Sequence, residues 1–171
     1  MRGGGVRYGD AMSETTSLPE RSRIVRQHLI SAGLDTEIRV LPDSARTAAE
    51  AAAAIGCDVA AIANSLVFLA DGEPILVMTS GGHRADFGVL ATATGAERIE
   101  MAPASVVREA TGQAIGGVAP VGHPERLRTY IDEALEAFDE IWAAAGHPHT
   151  VMPLTFGALK ELTDGAVIMV A

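Results

Sequence analysis

The stretch Ala114-Ile115-Gly116-Gly117-Val118-Ala119-Pro120-Val121-Gly122-His123 constrains this chain more than any other. Gly116 and Gly117 carry no side chain, so their backbone can be approached closely and can take a positive φ. Pro120 fixes its own φ and restricts Ala119. Gly122 permits a second tight turn. His123 is the nearby side chain that can move a proton near neutral pH. A loop of this kind can aim N–H groups at a carbonyl or phosphate oxygen. A plain hairpin loop with a solvent histidine has the same composition.

The loop needs a rigid frame, and the chain is long enough to build one. Its 171 residues are expected to form one domain. Residues 17–171 are assigned to that domain and residues 1–16, with three consecutive glycines, to a disordered tail. Aromatic residues are only 4% of the chain, so Ala, Val, Ile and Leu must fill the core. The start of the chain has no apolar run of the secretory kind, and no segment is long and apolar enough to span a bilayer. A cytoplasmic protein without membrane contact is therefore expected. Cys57 is the single cysteine, which excludes an internal disulfide and a cysteine-built zinc site. The formal net charge of −9 argues against broad, non-specific nucleic-acid binding while leaving room for a small local RNA site.

The local signals alternate irregularly between helix and strand. Ser17 and Pro19 open a helix with Ile24, Val25, His28, Leu29 and Ala32 on one face, stopped by Gly33. His28 is expected to pack there. Thr36 to Leu41 reads as a short strand. Thr47 and Glu50 form a capping box before an alanine-rich helix that Gly56 closes. Cys57 follows as a small buried hydrophobe. Ile62 to Ala70 and Pro74 to Ser80 flank Asp71-Gly72, a hairpin signal. Asp86 caps a helix ending before Gly95, Arg98 to Met101 is a strand, and Pro103 opens a helix that Gly112 stops. Leu127 to Asp132 is a strand. Ala134 to Ala145 fits a helical period, and a strand from Phe138 fits as well. Gly146-His147-Pro148-His149 is a turn. Thr150 to Pro153 is strand-like, Thr155 caps a helix through Leu162, and Ala166 to Val170 is a last strand. Hairpins interspersed with helices, without regular βα alternation, indicate an α+β fold.

Several segments occur in a distinctive order. They are Ile62-Ala63-Asn64-Ser65-Leu66-Val67-Phe68, Thr79-Ser80-Gly81, Glu109-Ala110-Thr111-Gly112 leading into Gly116-Gly117-Val118-Ala119-Pro120, and Ala145-Gly146-His147-Pro148. In this order they resemble the YbaK/ProX family of aminoacyl-tRNA deacylases, which are similar to the editing domain of bacterial prolyl-tRNA synthetase. The resemblance covers roughly Ser22 to Ala171. It implies a compact α+β domain around a mixed, mostly antiparallel, barrel-like sheet. It also implies a freestanding trans-editing hydrolase that cleaves the ester joining a small wrong amino acid, such as Ala, Cys, Ser or Thr, to a tRNA such as tRNA(Pro). The implied partner is the acceptor end of aminoacyl-tRNA, and the resemblance admits an association with an aminoacyl-tRNA synthetase. No cofactor or metal is implied. The Gly-x-x-x-Pro pattern of the substrate loop is matched by Gly116 and Pro120. Many members carry a lysine where this chain has Asn64. Asparagine keeps hydrogen-bonding capacity but no charge, and Arg84 is a candidate to compensate. A non-catalytic binding module for an aminoacyl group, a nucleotide or a protein is the alternative use of the same fold.

Deacylation needs a water, an oxyanion site and a proton for the leaving ribose oxygen. Backbone N–H groups at Gly116 and Gly117 suit the oxyanion. His123 either orients water or ribose, or fixes the loop by a hydrogen bond. Asn64, Ser65, Ser80, Gly81, Arg84 and His147 are the candidate substrate-binding residues. His147 and His149 have a spacing that invites a metal reading, but no third ligand is spaced with them. Small apolar side chains differ by only about 1–3 kcal/mol per methylene in a pocket, which is why separate editing enzymes are useful.

Overall fold

The computed structural model describes residues 18–171, so the tail assigned to residues 1–16 and the Ser17 cap lie outside the described residues. The first helix, α1 (Glu20–Ser31), starts after Pro19, which offers no side-chain cap. Val25 and Leu29 are buried, and so is Ser22, whose hydroxyl lies 2.9 Å from that of Thr150. His28 is exposed rather than packed, and Ile24 is largely exposed. The inward stripe is therefore turned toward Ser22, because α1 docks on a polar turn rather than on an apolar face alone.

Strand β1 is confined to Arg39–Val40, shorter than the sequence suggests. It pairs antiparallel with β7 (Thr150–Leu154), Arg39 opposite Val151. Extending that ladder would bring it to Pro153, which has no N–H to give. The Thr36 hydroxyl instead donates to the Pro153 carbonyl at 2.6 Å. Helix α2 (Ala48–Ile55) has the expected capping box: Thr47 Oγ1 accepts from Glu50 N–H, and the Glu50 carboxylate accepts from Thr47 N–H.

The sheet is built on β2 (Ile62–Ala70) and β3 (Glu73–Ser80), an antiparallel hairpin through Asp71-Gly72. Helix α3 (Phe87–Thr94), capped by Asp86, leads to β4 (Ile99–Met101), and α4 (Ala104–Thr111) follows. β5 (Arg128–Asp132) runs parallel to β3, with β8 (Ala166–Ile168) parallel beyond it after α5 (Phe156–Thr163). The segment with two open readings resolves as a short 3-10 turn over Glu133–Ala137 followed by β6 (Ile141–Ala144). Asp132 caps that turn through Ala134 N–H at 3.0 Å, and Phe138 then turns extended. β6 is held between β2 and β7, parallel to the first and antiparallel to the second.

The eight strands order as β1-β7-β6-β2-β3-β5-β8, with β4 also on β2. Alternation along β3 fills both faces. Leu76 and Met78 enter the main core with Val67 and Ile131, while Ile75 and Val77 enter a second cluster with Phe68 and Tyr130. Trp142 anchors a third cluster with Leu41 and Ile62, and the Arg39 guanidinium lies 4.7 Å over its ring. The fold is a mixed sheet with surrounding helices, as the α+β reading holds. Thr47→Ala removes the N-terminal cap of α2, far from the glycine loop. It is expected to cost about 1 kcal/mol in urea unfolding and to leave every activity of the loop unchanged.

Candidate active site

β2 is paired along one edge by β3 and shared along the other. β6 takes Ile62 and Ala63, and β4 takes Phe68 to Ala70. Between them the sheet splits, and no strand among the described residues pairs with that edge at Asn64, Ser65 and Leu66, all half-buried. Val67 C=O accepts from Ala102 N–H on this edge. By the two-residue alternation, Ser65 N–H and C=O point into the same gap. The Ser65 hydroxyl is turned to the core, 3.2 Å from Met78 Sδ. Asn64 alternates to the other face, opposite Thr79, whose buried hydroxyl has no partner among the described residues.

The glycine loop lies against the turn that follows β6. A Cβ on Gly117 would collide with the backbone of His147 and Pro148, so two backbone segments touch there with no side chain between them. Gly116, by contrast, faces open space at φ 90°. Ala114, Ile115 and Gly116 form an exposed crown, whereas Gly117 to Pro120 are buried. Gly117 N–H donates to Ala114 C=O at 2.9 Å, so this amide closes the turn rather than facing a ligand.

His123 Nε2 lies 2.8 Å from Ala119 C=O. A carbonyl only accepts, so Nε2 carries the proton and Nδ1 is the basic nitrogen. This is the loop-fixing arrangement. His123 and Pro120 also line a cavity of about 340 Å³ with His28, Arg126 and Thr129. Burial pushes the His123 pKa below its ordinary value; the Ala119 carbonyl opposes this and nearby His28 adds to it. A larger groove of about 850 Å³, walled by Glu73, Glu109, Arg126 and Tyr130 among others, contains none of the candidate residues.

The second candidate turn is built for rigidity. Ser80 Oγ donates to Ala60 C=O at 2.7 Å and accepts from Gly82 N–H at 3.2 Å. A Cβ on Gly81 would strike the Val59 carbonyl. Ser80 is thereby committed to the turn. Asp132 anchors the same turn and is a residue that sequence reasoning did not single out. It is fully buried, and its carboxylate accepts from Ser80 N–H, Ala134 N–H and His83 Nδ1, the last at 2.9 Å. Only an Asp at the end of a strand-like run signalled it. Arg84 is exposed beside this turn and forms no ion pair among the described residues. Among the described residues the turn has no hydrogen bond to the glycine loop; its ties run to Ala60, to Ile62 at the start of β2 and to β5.

His147 belongs to the loop's seat. Its Nδ1 accepts from His149 N–H at 3.1 Å, and the two rings are 5.5 Å apart. No three His, Cys, Asp or Glu side chains converge with metal-ligand geometry among the described residues. Cys57 is half-buried, and burial with Asp58 and Glu140 pushes its thiol up, away from thiolate chemistry. No helix among the described residues is long and apolar enough to cross a membrane.

The glycine loop is seated on the turn after β6, in a mixed sheet whose β2 edge is open at Asn64–Leu66. The aminoacyl-tRNA editing domain family matches residues 42–162, and the chain belongs to that family. It is similar to the "Putative Cys-tRNA(Pro)/Cys-tRNA(Cys) deacylase EbsC" of Enterococcus faecalis, 26% identical over 90% of this chain and 98% of the relative. It is also similar to the proline–tRNA ligase of Bacillus licheniformis, 31% identical over 80% of this chain but spanning only 24% of the ligase. A crystal structure described as "a putative trans-editing enzyme for prolyl tRNA synthetase" superposes with a TM-score of 0.85 at 40% identity, covering 90% of this chain and 98% of that one.

His123 has a pH consequence. Its folded pKa lies below the unfolded value of about 6.5, so its burial costs nothing above that pH and destabilises as pH falls below it. Urea midpoints should therefore drop from pH 7.5 to pH 5.5, and His123→Gln should remove part of that drop. An identical pH slope in the variant would contradict the assignment.

Proposed function

We propose that this chain is a freestanding trans-editing deacylase acting on a small amino acid wrongly esterified to a tRNA such as tRNA(Pro). The observation that carries the reading is the pairing of two backbone surfaces. Gly117 sits directly on the backbone joining His147 to Pro148, and that turn follows β6, the strand that neighbours β2 where its edge opens into the gap at Asn64–Leu66. An aminoacyl ester entering this gap meets main-chain donors and acceptors rather than charged side chains. That suits recognition of the invariant carbonyl and amine of any small aminoacyl group.

In the reaction, water adds to the ester carbonyl and forms a tetrahedral oxyanion. The bond to the terminal ribose oxygen then breaks, the ribose oxygen takes a proton, and the free amino acid leaves. Gly117 and Ala119 N–H groups are spent inside the loop, on Ala114 and Gln113. The oxyanion role therefore falls to the amides of Gly116 and Val118. Proton transfer uses the bound water and the neighbouring ribose hydroxyl, because His123 Nε2 is held by Ala119. Asn64 leaves this site without the cation that would pair with a phosphate. Affinity for the tRNA is accordingly modest, and Asn64→Lys should lower KM without raising kcat.

The direct test is hydrolysis of tRNA(Pro) charged with Ala, Cys or Ser, with correctly charged tRNAs as controls. Wild-type protein should clear one mischarged species and spare the correct one. Gly116→Val forces a β-branched residue into positive φ and blocks the crown. It should lower kcat/KM by about 100-fold, the typical effect of losing an oxyanion donor, in protein that stays folded. Near-wild-type turnover of folded Gly116→Val would remove the loop from the reaction.

A further inference from the structure

Gln113 is buried to 2% exposure, yet it is a polar side chain between helix α4 and the glycine loop. Its Oε1 accepts from Ala119 N–H at 2.7 Å, and its Nε2 donates to Val121 C=O at 3.2 Å. The amide thus spans the loop and satisfies both a donor and an acceptor on its far side. The other side of the Ala119 peptide is held by His123, whose Nε2 donates to Ala119 C=O at 2.8 Å. Ala119 therefore has both backbone polar groups taken by side chains, immediately before Pro120, which has no N–H. Gln113 is itself fixed. Its N–H donates at 3.0 Å to the hydroxyl of Thr111, which lies in the last turn of α4 and is fully buried. A would-be Cβ at Gly122 meets Gln113 Nε2 and Val25, so the brace is packed from outside as well.

We propose that Gln113 is a positioning residue of the editing reaction: its amide holds the Ala119 N–H while the His123 imidazole holds the Ala119 C=O, and together they fix the aim of the Gly116 and Val118 amides. This rests on the reading of the loop as the substrate loop. A glycine pair adjoining an exposed crown has many accessible backbone states, and an oxyanion site works only when its donors are held in place before the substrate arrives. Ala119 itself is an inert side chain, and Pro120 restricts the local dihedrals without tying the loop to α4. The grip on the Ala119 peptide is what transmits the rigidity of α4 to the crown.

The test uses two variants and two readouts. Gln113→Met keeps the shape and removes both bonds. Gln113→Glu keeps the acceptor for Ala119 N–H and loses the donor to Val121. Hydrogen exchange at the Ala119 amide reads the grip directly, and it should accelerate at least about 10-fold in Gln113→Met and less in Gln113→Glu. Deacylation of Ala-tRNA(Pro), Cys-tRNA(Pro) and Ser-tRNA(Pro), measured well below each variant's melting temperature, reads the role. A misaimed site costs about 10–100-fold in kcat, with KM changed little and Gln113→Glu intermediate. Ile75→Val, in the second cluster away from the loop, serves as the destabilised control and should keep its kcat. Unchanged exchange at Ala119, or an equal loss of kcat in Gln113→Met and Ile75→Val, would overturn the proposal. Retained turnover in Gln113→Met while Gly116→Val is inactive would overturn it and leave the loop assignment standing. Full turnover in both would overturn the loop reading itself. If Gln113→Met does not fold, Gln113→Glu carries both readouts.

Discussion

The site depends on one contact between two backbones. Gly117 rests on the peptide joining His147 to Pro148, at a distance no side chain could share. That contact fixes the glycine loop to the turn after β6, and β6 is itself fixed by its ladder to β2. The loop's position relative to the sheet is thus set through β6. Three further ties keep it there. The Gln113 amide and the His123 ring hold Ala119, and Val25 of α1 lies under both Gly122 and Gly146. The interior is close-packed, so a displacement at any of these points is transmitted rather than absorbed.

Electrostatics act locally in this protein. A chain with net charge −9 cannot attract nucleic acid by its overall field, and Asn64 on β2 carries no charge to add to it. What remains for recognition is directional: amide N–H groups, carbonyls, and a few neutral side chains with their lone pairs fixed. The buried charge at Asp132 belongs to architecture. Its carboxylate accepts three hydrogen bonds and ties the Ser80 turn to the end of β5. Turn and sheet end then move as one body, and the start of β2 keeps its register beside them.

Local signals in the sequence carried most of the elements. The Thr47–Glu50 box, the Asp71-Gly72 hairpin and the Asp86 and Thr155 caps each depend on residues within four positions, so they can be read without the fold. Where the reading fell short or stayed open, a distant partner decided. Pro153 stopped the β1 ladder from across the sheet, and pairing with β2 and β7 drew Ile141–Ala144 out of a helical period. The ordered motifs located the glycine loop and His147, and the structure brings those two into contact. It does not bring the Ser80–Arg84 turn to them by any hydrogen bond. Gln113 and Asp132 were invisible as isolated polar residues, since their value lies in which backbone groups they reach. The split of the sheet at Asn64–Leu66 has no sequence signature at all. It follows from β6 and β4 sharing one edge of β2.

The proposed seat of the reacting carbonyl is the crown of the glycine loop, with the open edge of β2 as the proposed seat of the aminoacyl group. A crystal structure with a non-hydrolysable amide-linked alanyl-adenosine tests this most directly. The carbonyl oxygen is expected within about 3 Å of the Gly116 or Val118 amide, with the aminoacyl group facing the Ser65 backbone. An aminoacyl group seated instead in the groove beside Glu73 and Glu109, or with its carbonyl turned to solvent away from the loop, would contradict it.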